Sequence, residues 1–128
     1  MNVILRIAGG ILLIAHGLVH LLYLVGDAED PDSPFTLTRS WLVPEAARRP
    51  VAVVLISVTI LAFALLALAV WRVPGLSAAW PGLAIVASVA SLVTVVAFWS
   101  IQFVAGLAID VAVLLIAVVR PRWTERIG

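Results

Sequence analysis

At 128 residues, 64% apolar and only 12% charged, the chain carries more hydrophobic surface than a soluble domain of this size could bury, so the excess must face lipid. A formal net charge of +1 offers no field for nucleic acid, and the lack of cysteine excludes disulfides, thiolate metal ligation and thiol catalysis. The chain reads as one all-α domain over residues 1–128, a polytopic transmembrane four-helix bundle. Helices are expected because backbone polar groups inside a bilayer must be satisfied within the segment, and no period-two alternation points to a barrel.

The first span is expected over residues 3–25. His16 and His20 lie four residues apart, which stacks them on one helical face about 6 Å apart along the axis, and Tyr23 and Asp27 continue the stripe. Gly10 and Gly17, one heptad apart, suit close approach of a neighbouring helix. Residues 26–50 form an outer loop. Gly26-Asp27-Ala28 has the small-x-small form of a signal-peptide cleavage site, but the preceding apolar run exceeds the roughly 7–15 residues of a signal core, so a retained span is expected. The acidic run Asp27-Ala28-Glu29-Asp30-Pro31-Asp32 lacks the alternating spacing and glycine of a calcium loop and reads as a solvated turn. In "SPFTLTRSWLVP", residues 33–44, Ser33-Pro34 forms a cap and first-turn pair, and the apolar residues that follow predict a short interfacial helix at about 34–43. Arg39 and Trp41 are its candidate contact residues, with Arg39 able to meet the acidic turn or an anionic ligand.

The second span is expected at 51–71, with Pro50 in a first turn where its missing N–H is harmless. Pro74 and Pro81 fall in the short connection to a third span at 82–99. Within these two spans Ser57, Thr59, Ser88, Ser91 and Thr94 could line a polar interior, although Ala84/Ser88 and Ala87/Ser91 have the small-xxx-small spacing of helix packing, as do Ala108 and Ala112 further on. From Gly82 to Val119 the sole charge is Asp110, and one straight helix of that length would run to roughly 57 Å, nearly twice a bilayer core. A turn is therefore placed at the polar pair Ser100 and Gln102, giving a fourth span at 101–119. Trp71, Trp80, Trp99 and Trp123 fall at predicted span ends, where indoles favour the headgroup layer.

Orientation follows the arginines. Arg6, Arg72, Arg120, Arg122 and Arg126 lie on the side of the termini, against Arg39, Arg48 and Arg49 on the other, which places both termini in the cytoplasm of a cell whose inner or plasma membrane holds the protein.

Chemistry concentrates in the membrane interior. His16 is the midpoint of residues 7–25 and Asp110 that of residues 101–119, so the two should face each other at similar depth. A charged Asp at mid-membrane costs about 2.5–3.5 kcal/mol on insertion scales, so it is expected to find a partner. His16, His20, Tyr23, Gln102 and Asp110 are the candidates for a ligand site or proton relay. His16, His20 and Asp110 together could hold a divalent metal with an open coordination position. The residue after His16 is Gly, which removes the zinc-protease motif, and two His on one helical face cannot bind both sides of one haem. The alternative is a clamp, in which Asp110 accepts hydrogen bonds from His and fixes the first helix against the fourth.

The stretches "LRIAGGILLIAHGLVHLLYL" (5–24), "PFTLTRSWL" (34–42) and "GLAID" (106–110) together resemble a group of small, uncharacterised bacterial four-helix membrane proteins, and the layout looks loosely like that of the DoxX-like proteins. That resemblance implies architecture and no mechanism. The expected function is a binding or accessory membrane protein whose partners are the bilayer and another membrane protein or a second copy of the chain; a metal- or redox-linked enzyme and a small proton-coupled transporter are the alternatives.

Overall fold

The computed structural model describes residues 2–21, 42–98 and 104–127. Among them the chain is all-helical, with four helices: α1 (Val3–Leu18), α2 (Glu45–Val70), α3 (Trp80–Ala97) and α4 (Val104–Val119). Three segments, Val3–Leu21, Ala46–Val70 and Ser77–Ala97, are long and apolar enough to cross a membrane, and α4 is a shorter apolar helix. This is a helical membrane protein, its lipid-facing surface built from exposed Val, Leu and Ile such as Ile4, Ile11, Val54, Val86 and Leu115.

Local chemistry sets most of the helix ends. Asn2 caps α1 with its side-chain oxygen, which accepts from the Ile4 amide at 2.8 Å. At the other end α1 tightens into a 3-10 turn, Val19–Leu21. Helix α2 ends in a Schellman motif: the Val73 amide bonds the Leu68 carbonyl and the Arg72 amide that of Ala69, both at 3.0 Å. The left-handed residue this motif needs is usually Gly, yet here it is Arg72, at φ 61°. Arg120 is likewise left-handed after α4, at φ 51°, but Pro121 has no amide to give, so the end is the simpler αL cap, with the Arg120 amide bonding the Ile116 carbonyl at 3.0 Å. A short 3-10 helix, Arg122–Arg126, follows and was not foreseen from the sequence.

Several expected boundaries move. Helix α2 starts at Glu45 rather than residue 51, so Pro50 is its sixth residue and sits inside the helix. There it gives up one intrahelical bond close to the N-terminus, where the first four amides lack partners anyway. At 26 residues α2 runs to about 39 Å, so its ends project beyond a bilayer core of about 30 Å. Helix α3 begins at Trp80, two residues earlier than expected, with Pro81 in its first turn rather than in the connection. The expected interfacial helix, with Arg39 and Trp41, and the candidates Tyr23 and Gln102 lie outside the described residues; Leu42 and Val43 form a bend.

Neighbouring helices pack in chain order, α1 on α2, α2 on α3 and α3 on α4. Gly17 lets α1 approach α2 so closely that an added Cβ would stand 3.0 Å from the Phe63 Cβ, and the flat face at Gly10 receives the Trp71 indole. The interior is layered. One apolar cluster, around Phe63, Leu66, Trp80, Ala84 and Ile127, occupies the end that holds both termini, and another, around Ile56, Val95 and Phe98, the opposite end. Thr59, Ser88, Ser91, Thr94, His16, His20 and Asp110 are buried polar residues in and beside the zone between them. The small-residue reading holds for Ala84, Ala87, Ser88 and Ser91, all buried, but Ala108, Ala112 and Ser57 face outward and pack against no helix interior.

Candidate functional site

The polar layer draws α1, α3 and α4 together through four side chains. His16 Nε2 lies 2.7 Å from Asp110 Oδ1, and Ser91 Oγ lies 2.5 Å from Asp110 Oδ2. His20 Nε2 is 2.9 Å from the same Ser91 oxygen. Asp110 is 0% exposed and His20 2%. The result is one continuous chain, His16–Asp110–Ser91–His20.

Each member is held by its own helix. Residues 16 and 20 fall on one face of α1, but the 3-10 turn at Val19–Leu21 turns the His20 ring away from its neighbour, so the two imidazoles meet edge to face with centroids 5.6 Å apart. His20 Nδ1 then reaches back to the carbonyl oxygens of His16 at 3.1 Å and Gly17 at 3.2 Å. These carbonyls belong to the closing turn of α1. The His16 ring stands perpendicular on Phe63 of α2, centroids 5.0 Å apart, which fixes its orientation from the fourth side. At Gly106, one turn before Asp110 on α4, a Cβ would stand in ordinary contact with His16 Cε1, at 3.7 Å, so α4 runs beside the His16 ring.

Proton accounting constrains the state of the cluster. Carbonyls only accept, so His20 Nδ1 carries a proton and donates it. The three gaps His16–Asp110, Asp110–Ser91 and Ser91–His20 need one proton each. A neutral His16 protonated on Nε2 fills the first, and the single hydroxyl proton of Ser91 fills one of the others. The last gap is filled in one of two ways. Either Asp110 is protonated on Oδ2 and donates to Ser91, which donates to a neutral His20, or His20 is an imidazolium that donates to Ser91, which donates to the Asp110 carboxylate. Both arrangements carry zero net charge, as suits a site inside lipid, and they differ by the shift of two protons through Ser91.

The same geometry bears on metal binding. Three converging lone pairs would be needed, but the His20 Nε2 and both Asp110 oxygens point at hydrogen-bond partners within the chain. Among the described residues no three His, Asp or Glu side chains converge to hold a metal ion. One turn before Ser91 on α3, the buried Ser88 Oγ has no hydrogen-bond partner among the described residues.

Ser91, which the sequence offers as a residue lining a polar interior or, by its spacing, as a packing residue, is the link that completes the network. A signal was present, since Ser91 lies at the midpoint of residues 82–99 just as His16 and Asp110 mark the midpoints of their spans. Phe63 carried no such signal. No protein-family model, curated protein or solved structure matches the chain.

Proposed function

We propose that the chain is a four-pass protein of the inner or plasma membrane, termini cytoplasmic, that serves as a binding or accessory subunit, its His16–Asp110–Ser91–His20 network clamping three helices into one unit. The observation that carries this reading is that Asp110 has no exposed surface and both of its carboxylate oxygens are already bonded, to α1 and to α3. A catalytic carboxylate needs to meet substrate, whereas a clamp needs only its neighbours. The excess of arginine on the terminal side, five against three, supports the orientation. The four-pass layout is also that of the small bacterial proteins whose motifs the chain resembles.

The test is elemental analysis and an absorption spectrum of the detergent-purified protein beside His16→Ala. The expected outcome is neither stoichiometric metal nor a chromophore in either protein. A metal or chromophore present in the parent and lost in the variant would replace the clamp with a cofactor-bearing enzyme.

A second reading has its own observation, the unbroken Asp110–Ser91–His20 wire with two isoelectric proton arrangements. As a proton relay it requires proton flux in proteoliposomes that Asp110→Asn abolishes. Absence of flux from the intact protein would sink it.

A further inference from the structure

Between α1 and α4, on the half of the bundle that holds the termini, lies a lateral, partly open cleft of about 230 Å³. Its walls are apolar, among them Leu5, Leu13, Val70, Trp80, Val113 and Ile127. It runs along α1 from Leu5 to Leu13, about 12 Å, and stops one turn short of His16. The depth and chemistry suit a hydrocarbon chain.

The mouth is cationic. Arg6 donates from Nη1 to the Val70 carbonyl at 2.6 Å and from Nη2 to the Arg126 carbonyl at 2.8 Å, and Arg72 donates from Nη2 to that same Arg126 oxygen at 3.0 Å. Val70 lines the cleft and Arg126 is followed by Ile127, which also lines it, so both guanidinium groups are anchored at its rim. Two cations sharing one oxygen stand within about 6 Å of each other and repel. Among the described residues no carboxylate pairs with either guanidinium. Carbonyls take one proton from each bonded nitrogen, leaving three N–H groups of Arg6 and four of Arg72 to bind an anion. Arg126, with Asn2, Leu5 and Trp123, lines a second hollow that shares Leu5 and Trp123 with the cleft.

Arg72 holds a left-handed conformation in which Gly would be relaxed, as Arg120 does after α4. Trp71 ends α2 and Trp123 follows α4, span ends of the kind where indoles favour the headgroup layer, the depth of a lipid phosphate.

We propose that the cleft and its arginine rim bind one anionic phospholipid, an acyl chain lying between α1 and α4 and the phosphate on Arg6, Arg72 and Arg126. This site does not depend on the His–Ser–Asp network, so the clamp could fail its test and leave the lipid site standing.

The experiment is native mass spectrometry of the full chain, delipidated and then offered phosphatidylglycerol and phosphatidylcholine with identical acyl chains. The parent should retain one phosphatidylglycerol about tenfold over phosphatidylcholine. Arg72→Gly should cut that preference about fivefold while keeping or raising the melting temperature, because glycine relaxes the turn. Gly9→Leu fills the cleft from its wall, where a Cβ meets nothing within 4 Å, and should remove the tightly held copy of either lipid. Equal retention of the two lipids by the parent, an unchanged preference in Arg72→Gly, or a bound copy surviving in Gly9→Leu would each overturn the proposal, as would a second protein chain occupying the cleft in place of lipid.

Discussion

Ser91→Ala destabilises the bundle by about 2 kcal/mol, while Asp110→Asn changes it by less than about 1 kcal/mol, when both are measured by reversible unfolding in mixed micelles. The order runs against intuition, since the second substitution removes the only ionisable acid in α4. It follows from where the protons sit. Ser91 is the single link between His20 and Asp110, so its loss strands the His20 Nε2 and the Asp110 Oδ2 together, each at about 1 kcal/mol. An amide at position 110 strands only one N–H of its NH₂ group. Its oxygen accepts from His16, its NH₂ donates to Ser91, and Ser91 donates to His20, so all three gaps stay filled. The penalty for Ser91→Ala is kept near the low end because helices separated within a bilayer find other hydrogen-bond partners. If Asp110→Asn proved the costlier change, the carboxylate would be ionised and paired, and the form with a protonated Asp110 would be ruled out.

Gly10→Leu lowers stability by about 3 kcal/mol in the same titration, whereas Gly9→Leu leaves it within about 0.5 kcal/mol. The two glycines are adjacent in sequence and opposite in surroundings. A Cβ on Gly10 would overlap Nε1 and Cε2 of Trp71 and lie 2.7 Å from Cζ2, so the indole must leave its seat. In leaving it forfeits the bond from Trp71 Nε1 to the Arg6 carbonyl, 3.1 Å long, which joins the ends of α1 and α2. Overpacking contributes about 1–3 kcal/mol and the lost bond about 1. Because leucine has the better helix propensity at both positions, the difference between the variants isolates the packing against Trp71. Equal stability of the two would show that α1 and α2 do not meet at Gly10.

The helical class was legible because composition and hydrophobic run length act over twenty residues at a time and leave little freedom inside lipid. Pairing His16 with Asp110 was legible from depth alone, as two costly groups at matching levels have few alternatives. The role of Ser91 was obscured because serine serves equally well as a small packing residue, and spacing does not tell the two apart. His20 was placed on the face of His16 by an ideal helix, but the 3-10 turn at Val19–Leu21 redirected its ring to Ser91, a local tightening that no pattern in the sequence announces. The start of α2 was misread for a related reason. Charged and proline residues at 45–50 argue for a loop, while in the structure they form the first turns of α2.

The contact between His16 and Asp110 also has a history within each molecule. His16 and Asp110 are 94 residues apart, so at ribosomal rates of about 5–20 residues per second the histidine is made roughly 5–20 s before the aspartate that completes it. His20 waits less exposed, since its Nδ1 can close onto the carbonyls of its own helix as soon as α1 winds. Until α3 is made the His20 Nε2 also lacks its Ser91 partner, and the arrival of α4 then completes His16. A nascent chain that stalls before residue 110 is thus chemically distinguishable from a finished one, by an open polar seam that membrane quality control could recognise.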